Sequence, residues 1–300
     1  MKKVYKISII SSFLGLWMVS FLDKNFQTLL GFFLIFTFGV FHGANDLLLF
    51  SKMEPIKVFD FAKTLLAYVL VVLAAVMVFI ILPQFALLCF IIVSGYHFGQ
   101  QQFEFLKTDT NKDYFNFFYL IYGLFVLMLL FMFNKTEVIE IVAEISGFLL
   151  SKQIIVVGFW SAAFLMVVAG VMLARSSAAF LKVIVLEIFY LLVFAILFYS
   201  TTLIWGFALY FILWHSLPSI ESQINFVHGD CNTFSVLKYA KSGFLYWIVS
   251  MVGIAMLYFW FRDEKIFDTI FFSFLAAITF PHVFVIQKMF ASRRSVKQSL

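Results

Sequence analysis

The sequence predicts an all-α, polytopic transmembrane helix bundle of about ten spans, a single domain over residues 1–300 with both termini cytoplasmic. Three observations predict it. Hydrophobic residues make up 64% of the chain and charged ones 12%, with a mean hydropathy of +1.03, whereas a soluble domain is only about half apolar. The apolar residues gather into ten segments of roughly 16–26 residues, each long enough to cross hydrocarbon. Basic residues favour the ends of those segments on one side. The net charge of +5 is therefore an anchoring and orienting device, and no nucleic-acid partner is expected.

The segments follow in order. The first, 7–22, stands behind Lys2, Lys3 and Lys6 like the apolar part of a signal peptide. No small-x-small cleavage site precedes Asp23, so it is expected to be retained as a span. Asp23-Lys24-Asn25 separates it from 27–50, and Met53-Glu54-Pro55 ends that segment. Pro83 divides 61–82 from 84–106, and Asn111-Lys112-Asp113 precedes 114–134. Between 114–134 and 154–174, Glu137, Glu140 and Glu144 recur at i, i+3, i+7, with Val138, Ile139, Ile141, Val142 and Ile145 around the other face. That pattern is an amphipathic helix expected on the bilayer surface. Ser176-Ser177 introduces 179–199; the segments 202–227, 243–261 and 267–290 follow, the last two parted by Arg262-Asp263-Glu264-Lys265. Cys89 lies in an apolar segment and Cys231 in a loop, so neither a disulfide nor a cysteine metal site is expected.

With the N-terminus inside, sixteen of the 21 Lys and Arg residues fall on the inner side and only Lys24, Lys135, Lys152, Arg262 and Lys265 on the outer. That positive-inside bias favours an even number of spans. It also aligns four histidines. His42, His97, His215 and His282 are residues 16, 14, 14 and 16 of four segments that all run from outside to inside. A two-residue spread is about 3 Å along a helix axis. An ionisable ring in hydrocarbon is costly and usually faces the bundle interior at a functional site. One such histidine is often a packing residue; four at one depth point to a metal site. The fifth, His228, sits beside Gly229-Asp230 and is expected at the surface.

Imidazole nitrogen suits Fe, Zn, Cu and Ni, and nearby carboxylates commonly orient ligating rings by accepting their second N–H. Asp46, four residues after His42, is a candidate for that role on the same helix face. Glu187 is the acid set well inside an apolar segment, where it costs about 2.5–3.5 kcal/mol to insert. Tyr96 and Trp214 directly precede histidines; each is a core aromatic or a substrate contact. Pro218 and Pro281 lie beside His215 and His282 and are expected to break the helical ladder there.

Phe41-His42-Gly43-Ala44-Asn45-Asp46 resembles the HGAxD motif of the Brp/Blh family of membrane β-carotene 15,15′-dioxygenases. Tyr96-His97-Phe98-Gly99 is similar to its HFG motif, Trp214-His215-Ser216 to its WHS-like motif, and Pro281-His282 to its late Pro-His. The motifs occur in family order across nearly the whole chain. The resemblance implies an iron enzyme that splits β-carotene at its central double bond with O2 to give two retinal molecules, with Fe(2+) as cofactor and a rhodopsin as user of retinal. It implies metal ligation by His42, His97 and His215; Tyr96, Phe98 and Trp214, beside the histidines, are the expected substrate contacts. The chain departs from the family at Ser219, where members place a further ligating histidine, and at Gln100-Gln101-Gln102, where they tend to carry an acid. His282 is the replacement fourth ligand by depth; a three-histidine site is the alternative. Asp46 and Glu187 are the expected supporting carboxylates.

The expected partners are thus a carotenoid, O2 and membrane lipid, and the expected location is the bacterial inner membrane as a multi-pass protein. Two other functions fit four histidines at one depth: a bis-histidine haem redox protein, and a proton-coupled transporter working through histidine and Glu187.

Overall fold

The computed structural model describes residues 3–53, 58–106, 112–260 and 264–298, and these are helices joined by short turns, with no strand among them. The α-helices among the described residues are α1 (Lys3–Val19), α2 (Lys24–Leu34), α3 (Asp46–Met53), α4 (Val58–Ile81), α5 (Pro83–Phe103), α6 (Lys112–Phe133), α7 (Lys135–Ser146), α8 (Lys152–Ser176), α9 (Ala178–Leu181), α10 (Ile184–Tyr199), α11 (Leu203–Tyr210), α12 (Leu217–His228), α13 (Thr233–Trp260) and α14 (Glu264–Gln298). Six helices among the described residues are long and apolar enough to cross a membrane: Phe61–Ile81, Tyr114–Phe133, Lys152–Ser176, Leu203–His228, Thr233–Met256 and Ile270–Arg293. The interruptions expected at Glu54-Pro55, Asn111 and Arg262-Asp263 lie outside the described residues.

Three of the expected continuous segments are broken. Segment 27–50 leaves α geometry in a π-helical turn, Ile35–Gly39, and then in an open turn over residues 42–45. There the backbone closes i→i+3 bonds, Gly43 N to Val40 O and Ala44 N to Phe41 O, as Gly and Asn favour turns over helix. His42 therefore stands in a turn, not inside a helix as its apolar neighbours suggest. Segment 179–199 is divided at Lys182-Val183, and 202–227 passes through a second π-helical turn, Phe211–Ser216, which contains His215. Proline effects follow position. Pro218 falls in the first turn of α12, where its missing N–H is not needed, whereas α14 continues through Pro281. Both π turns adjoin or contain a histidine, the setting in which such turns recur.

The chain forms two compact units. The first comprises Met1–Ile35, Ile91–Ala143 and Gly147–His215. Within it α6 packs on α8 and α10, α11 on α2, and α1 on α10. Caps fix where its helices start: Asp23 Oδ1 accepts from Phe26 N at 2.9 Å, Ser151 Oγ from Ile154 N at 3.3 Å, and Thr202 Oγ1 from Trp205 N at 3.4 Å. The amphipathic helix is α7, ended by Gly147 at φ +66°. Its Glu137 Oε2 accepts from Leu203 N at 2.8 Å, a second cap on α11. Helices α5 and α6 touch backbone to backbone. A Cβ on Gly99 would collide with the Tyr119 carbonyl, and one on Gly123 with the Gly95 carbonyl.

The second unit comprises Phe36–Phe90, Glu144–Ser146 and Ser216–Leu300. Here α14 packs on α3, α4 and α13, and α12 packs on α3 and α13. Leu49, Val285, Ile286, Met289 and Phe290 form its buried apolar centre. Helix α13 begins ten residues before its expected apolar start, because Asn232 caps it: Oδ1 accepts from Ser235 N at 2.9 Å. Polar groups at membrane depth must find partners inside the protein. Accordingly Asn45 Nδ2 donates to Tyr239 O at 3.0 Å, and Ser242 Oγ donates to Asn45 Oδ1 at 2.8 Å.

Candidate metal centre

The four histidines occur as two buried pairs, one in each unit. In the second unit His42 and His282 are 6% and 4% exposed, with ring centroids 4.5 Å apart and planes at 83°. His42 Nδ1 lies against the carbonyl of Gly39, the last residue of the first π turn. A carbonyl only accepts, so Nδ1 carries the proton and Nε2 the lone pair that can bind metal. The backbone of the same residue is fixed too: Gln223 Nε2 donates to His42 O at 3.2 Å.

His282 projects from α14, and its Nδ1 is 2.8 Å from Asp46 Oδ1. With Oδ1 as the acceptor, Nδ1 carries the proton and Nε2 is the nitrogen that could ligate a metal. The carboxylate–imidazole arrangement fixes tautomer and ring angle and raises ligand basicity. Asp46 in turn accepts the Tyr68 hydroxyl on Oδ2 at 2.9 Å. Asp46 thus supports His282 rather than His42. The expected i, i+4 relation to His42 fails because residues 42–45 are a turn, so Asp46 starts a new helix.

In the first unit His97 and His215 are 1% and 2% exposed, with ring centroids 4.7 Å apart and planes at 75°. Phe98 closes on His215 at 4.7 Å, and Phe211 stacks on it at 5.5 Å and 14°. These two rings shield the imidazole from bulk solvent. Glu187, on α10, is buried and accepts from Gln102 Nε2 at 2.9 Å and from Tyr122 OH at 3.3 Å. Its link to the histidines runs along α5, where Gln102 follows His97 by five residues.

Of the expected substrate contacts, Phe98 stands beside a histidine. Trp214 points into an aromatic core, 4.9 Å from Tyr190 and 4.8 Å from Phe194, with its indole N–H donated to Ser12 Oγ at 2.9 Å. Tyr96 donates to Asn116 Oδ1 at 3.2 Å and receives Gln100 Nε2 at 3.3 Å. Ser219 is fully buried and accepts from Gln223 Nε2 at 3.0 Å. Gln223, Tyr239 and Tyr68 went unmarked in the sequence. Gln223 had a signal, being an amide four residues after Ser219 inside an apolar stretch; Tyr68 had only a hydroxyl in an otherwise aliphatic run.

His42 and His282 in one unit, and His97 and His215 in the other, are buried imidazoles of the kind that hold metal ions. Imidazole nitrogen is a neutral type of donor, and in His42 and His282 the second nitrogen is committed to an acceptor, which fits a transition metal. The class is therefore a helical membrane protein with two buried histidine pairs. Over residues 33–290 the chain matches the family model of beta-carotene 15,15'-dioxygenase, and it belongs to that family of carotenoid dioxygenases. Neither the curated proteins nor the solved structures contain a match.

Proposed function

We propose that the chain cleaves β-carotene at its central double bond with O2, and that His42, His97, His215 and His282 ligate one Fe(2+). The family match over residues 33–290 carries the reaction class. The metal reading is supported by the common depth of the four rings in the sequence and by the two buried imidazole pairs. In the reaction one C=C bond breaks, two C=O bonds form, and both oxygen atoms of O2 enter the two retinal products. Bound iron would supply O2 activation.

The protein's own residues do the rest. Gly39 and Asp46 hold the tautomers of His42 and His282. Glu187, through Gln102, steadies the helix that carries His97. Phe98, with Tyr96 two residues before it, supplies apolar and aromatic surface for a polyene. The substrate is lipid-soluble, so it enters from the bilayer. The ten-span topology with cytoplasmic termini, a bacterial inner-membrane location and a rhodopsin receiving retinal belong to the same reading. The family match favours cleavage over haem redox chemistry or proton-coupled transport.

Expression in a bacterium that makes β-carotene tests this. Loss of carotene colour with retinal in the extract is expected, and no loss in His97→Ala cells. Unchanged carotene with well-expressed protein, or longer apocarotenals in place of retinal, would overturn the substrate or the cleavage position.

A further inference from the structure

The buried carboxylate of Asp46 is held by two donors from two helices. His282 Nδ1, on α14, takes Oδ1 at 2.8 Å, and the Tyr68 hydroxyl, on α4, takes Oδ2 at 2.9 Å. Asp46 itself opens α3, and α3, α4 and α14 pack on one another. The three residues thus tie together the corners of one helix triplet.

A carboxylate on a single hydrogen bond still turns about its terminal torsion, which is broad and roughly two-fold. A second donor on the other oxygen fixes the plane and, with it, the direction from which the imidazole is gripped. Tyr68 lies in the span Phe61–Ile81, whose mean hydropathy is 3.0 and of which only 11% is buried. Beyond Thr64 it is the sole polar side chain before Pro83. A hydroxyl placed in so aliphatic a helix needs an internal partner, and this one meets the carboxylate that grips His282.

We propose that Tyr68 is a positioning residue of the metal centre: its hydroxyl orients Asp46, which orients the His282 ring for ligation. This rests on the metal-binding reading above. It predicts that the phenol acts on the metal only through Asp46, which separates it from a tyrosine that simply stabilises the helix triplet.

The test is Co(2+) titration of the full-length metal-free protein in detergent, reading affinity and the visible d–d absorption, for wild type, Tyr68→Phe, Asp46→Asn, the double variant and His282→Ala. Tyr68→Phe keeps the ring and loses only the hydroxyl. Its Co(2+) affinity is expected to fall about tenfold, the low end for a lost supporting partner of a ligand, with an altered absorption band. In the Asp46→Asn background the same substitution should change neither. Wild-type affinity and spectrum in Tyr68→Phe, even with lowered thermal stability, would overturn the proposal, as would an equal loss in both backgrounds. His282→Ala separates the two levels. If it binds Co(2+) like wild type, the ligand assignment itself fails; if it loses Co(2+) while Tyr68→Phe does not, only the role of Tyr68 fails.

Discussion

Gly99→Ala is expected to damage the His97 site through backbone displacement alone. The glycine of the His97-Phe98-Gly99 run lies where α5 meets α6, and an added Cβ would overlap the Tyr119 carbonyl. That oxygen belongs to helix backbone and cannot rotate aside as a side chain can. Ordinary C···O approach needs about 3.3–3.6 Å, so the helices must part by on the order of an ångström. Overpacking of this kind costs typically about 1–3 kcal/mol. Misplacing reacting groups by about 1 Å can cost on the order of 10²-fold in rate, and His97 is two residues away. Gly253→Ala is the matched control, since its Cβ meets nothing within 4 Å; inside helix α13 it should be neutral or stabilising by up to about 1 kcal/mol. Thermal unfolding in detergent, with retinal formation by the same samples, reads both effects. Gly99→Ala with wild-type stability and activity would refute the reasoning, and so would equal losses in the two variants.

Other outcomes follow from the same contacts. His42→Ala, His97→Ala, His215→Ala and His282→Ala should each lose iron by metal analysis, whereas Ser219→Ala should keep it, because Ser219 is engaged with Gln223. If Ser219→His raises iron affinity and His282→Ala keeps iron, the site is the three-histidine alternative. Asp46→Asn should retain iron with affinity lowered about 10–100-fold in a chelator competition. Trp214→Phe removes one buried hydrogen bond, to Ser12, worth about 1 kcal/mol; the expected result is a lower unfolding temperature with unchanged products, and an altered product profile would return Trp214 to the substrate contacts. Reporter fusions at Lys152 and Leu300 should report opposite sides of the membrane, as the distribution of basic residues requires.

Helix positions were legible in the sequence wherever composition decides them. Hydropathy and Pro83 place the α4–α5 boundary, and the Glu137, Glu140, Glu144 spacing defines α7. The burial of the four histidines and of Glu187 was legible for the same reason, since charge in an apolar run must turn inward. What composition does not encode is backbone geometry within an apolar run. The Ile35–Gly39 π turn and the turn at 42–45 look like uninterrupted helix, so Asp46 was assigned to His42 and is found on His282. The pairing of Asp46 with Tyr68, or of Gln223 with the His42 carbonyl, joins residues far apart in the chain. No spacing rule reaches such contacts. For Trp214 the sequence leaves core aromatic and substrate contact both open, and the structure sets its indole against Phe194 and Ser12.

The most direct test of the central claim is an Fe(2+) titration of the anaerobic metal-free protein, followed by β-carotene and O2 and chromatography of the products. Retinal should rise in proportion to iron and level off at about one Fe(2+) per chain, with two retinal molecules for each carotene consumed. Retinal formed at full rate without added metal, or a plateau of bound iron with carotene left intact, would contradict a histidine-held iron that cleaves the carotenoid.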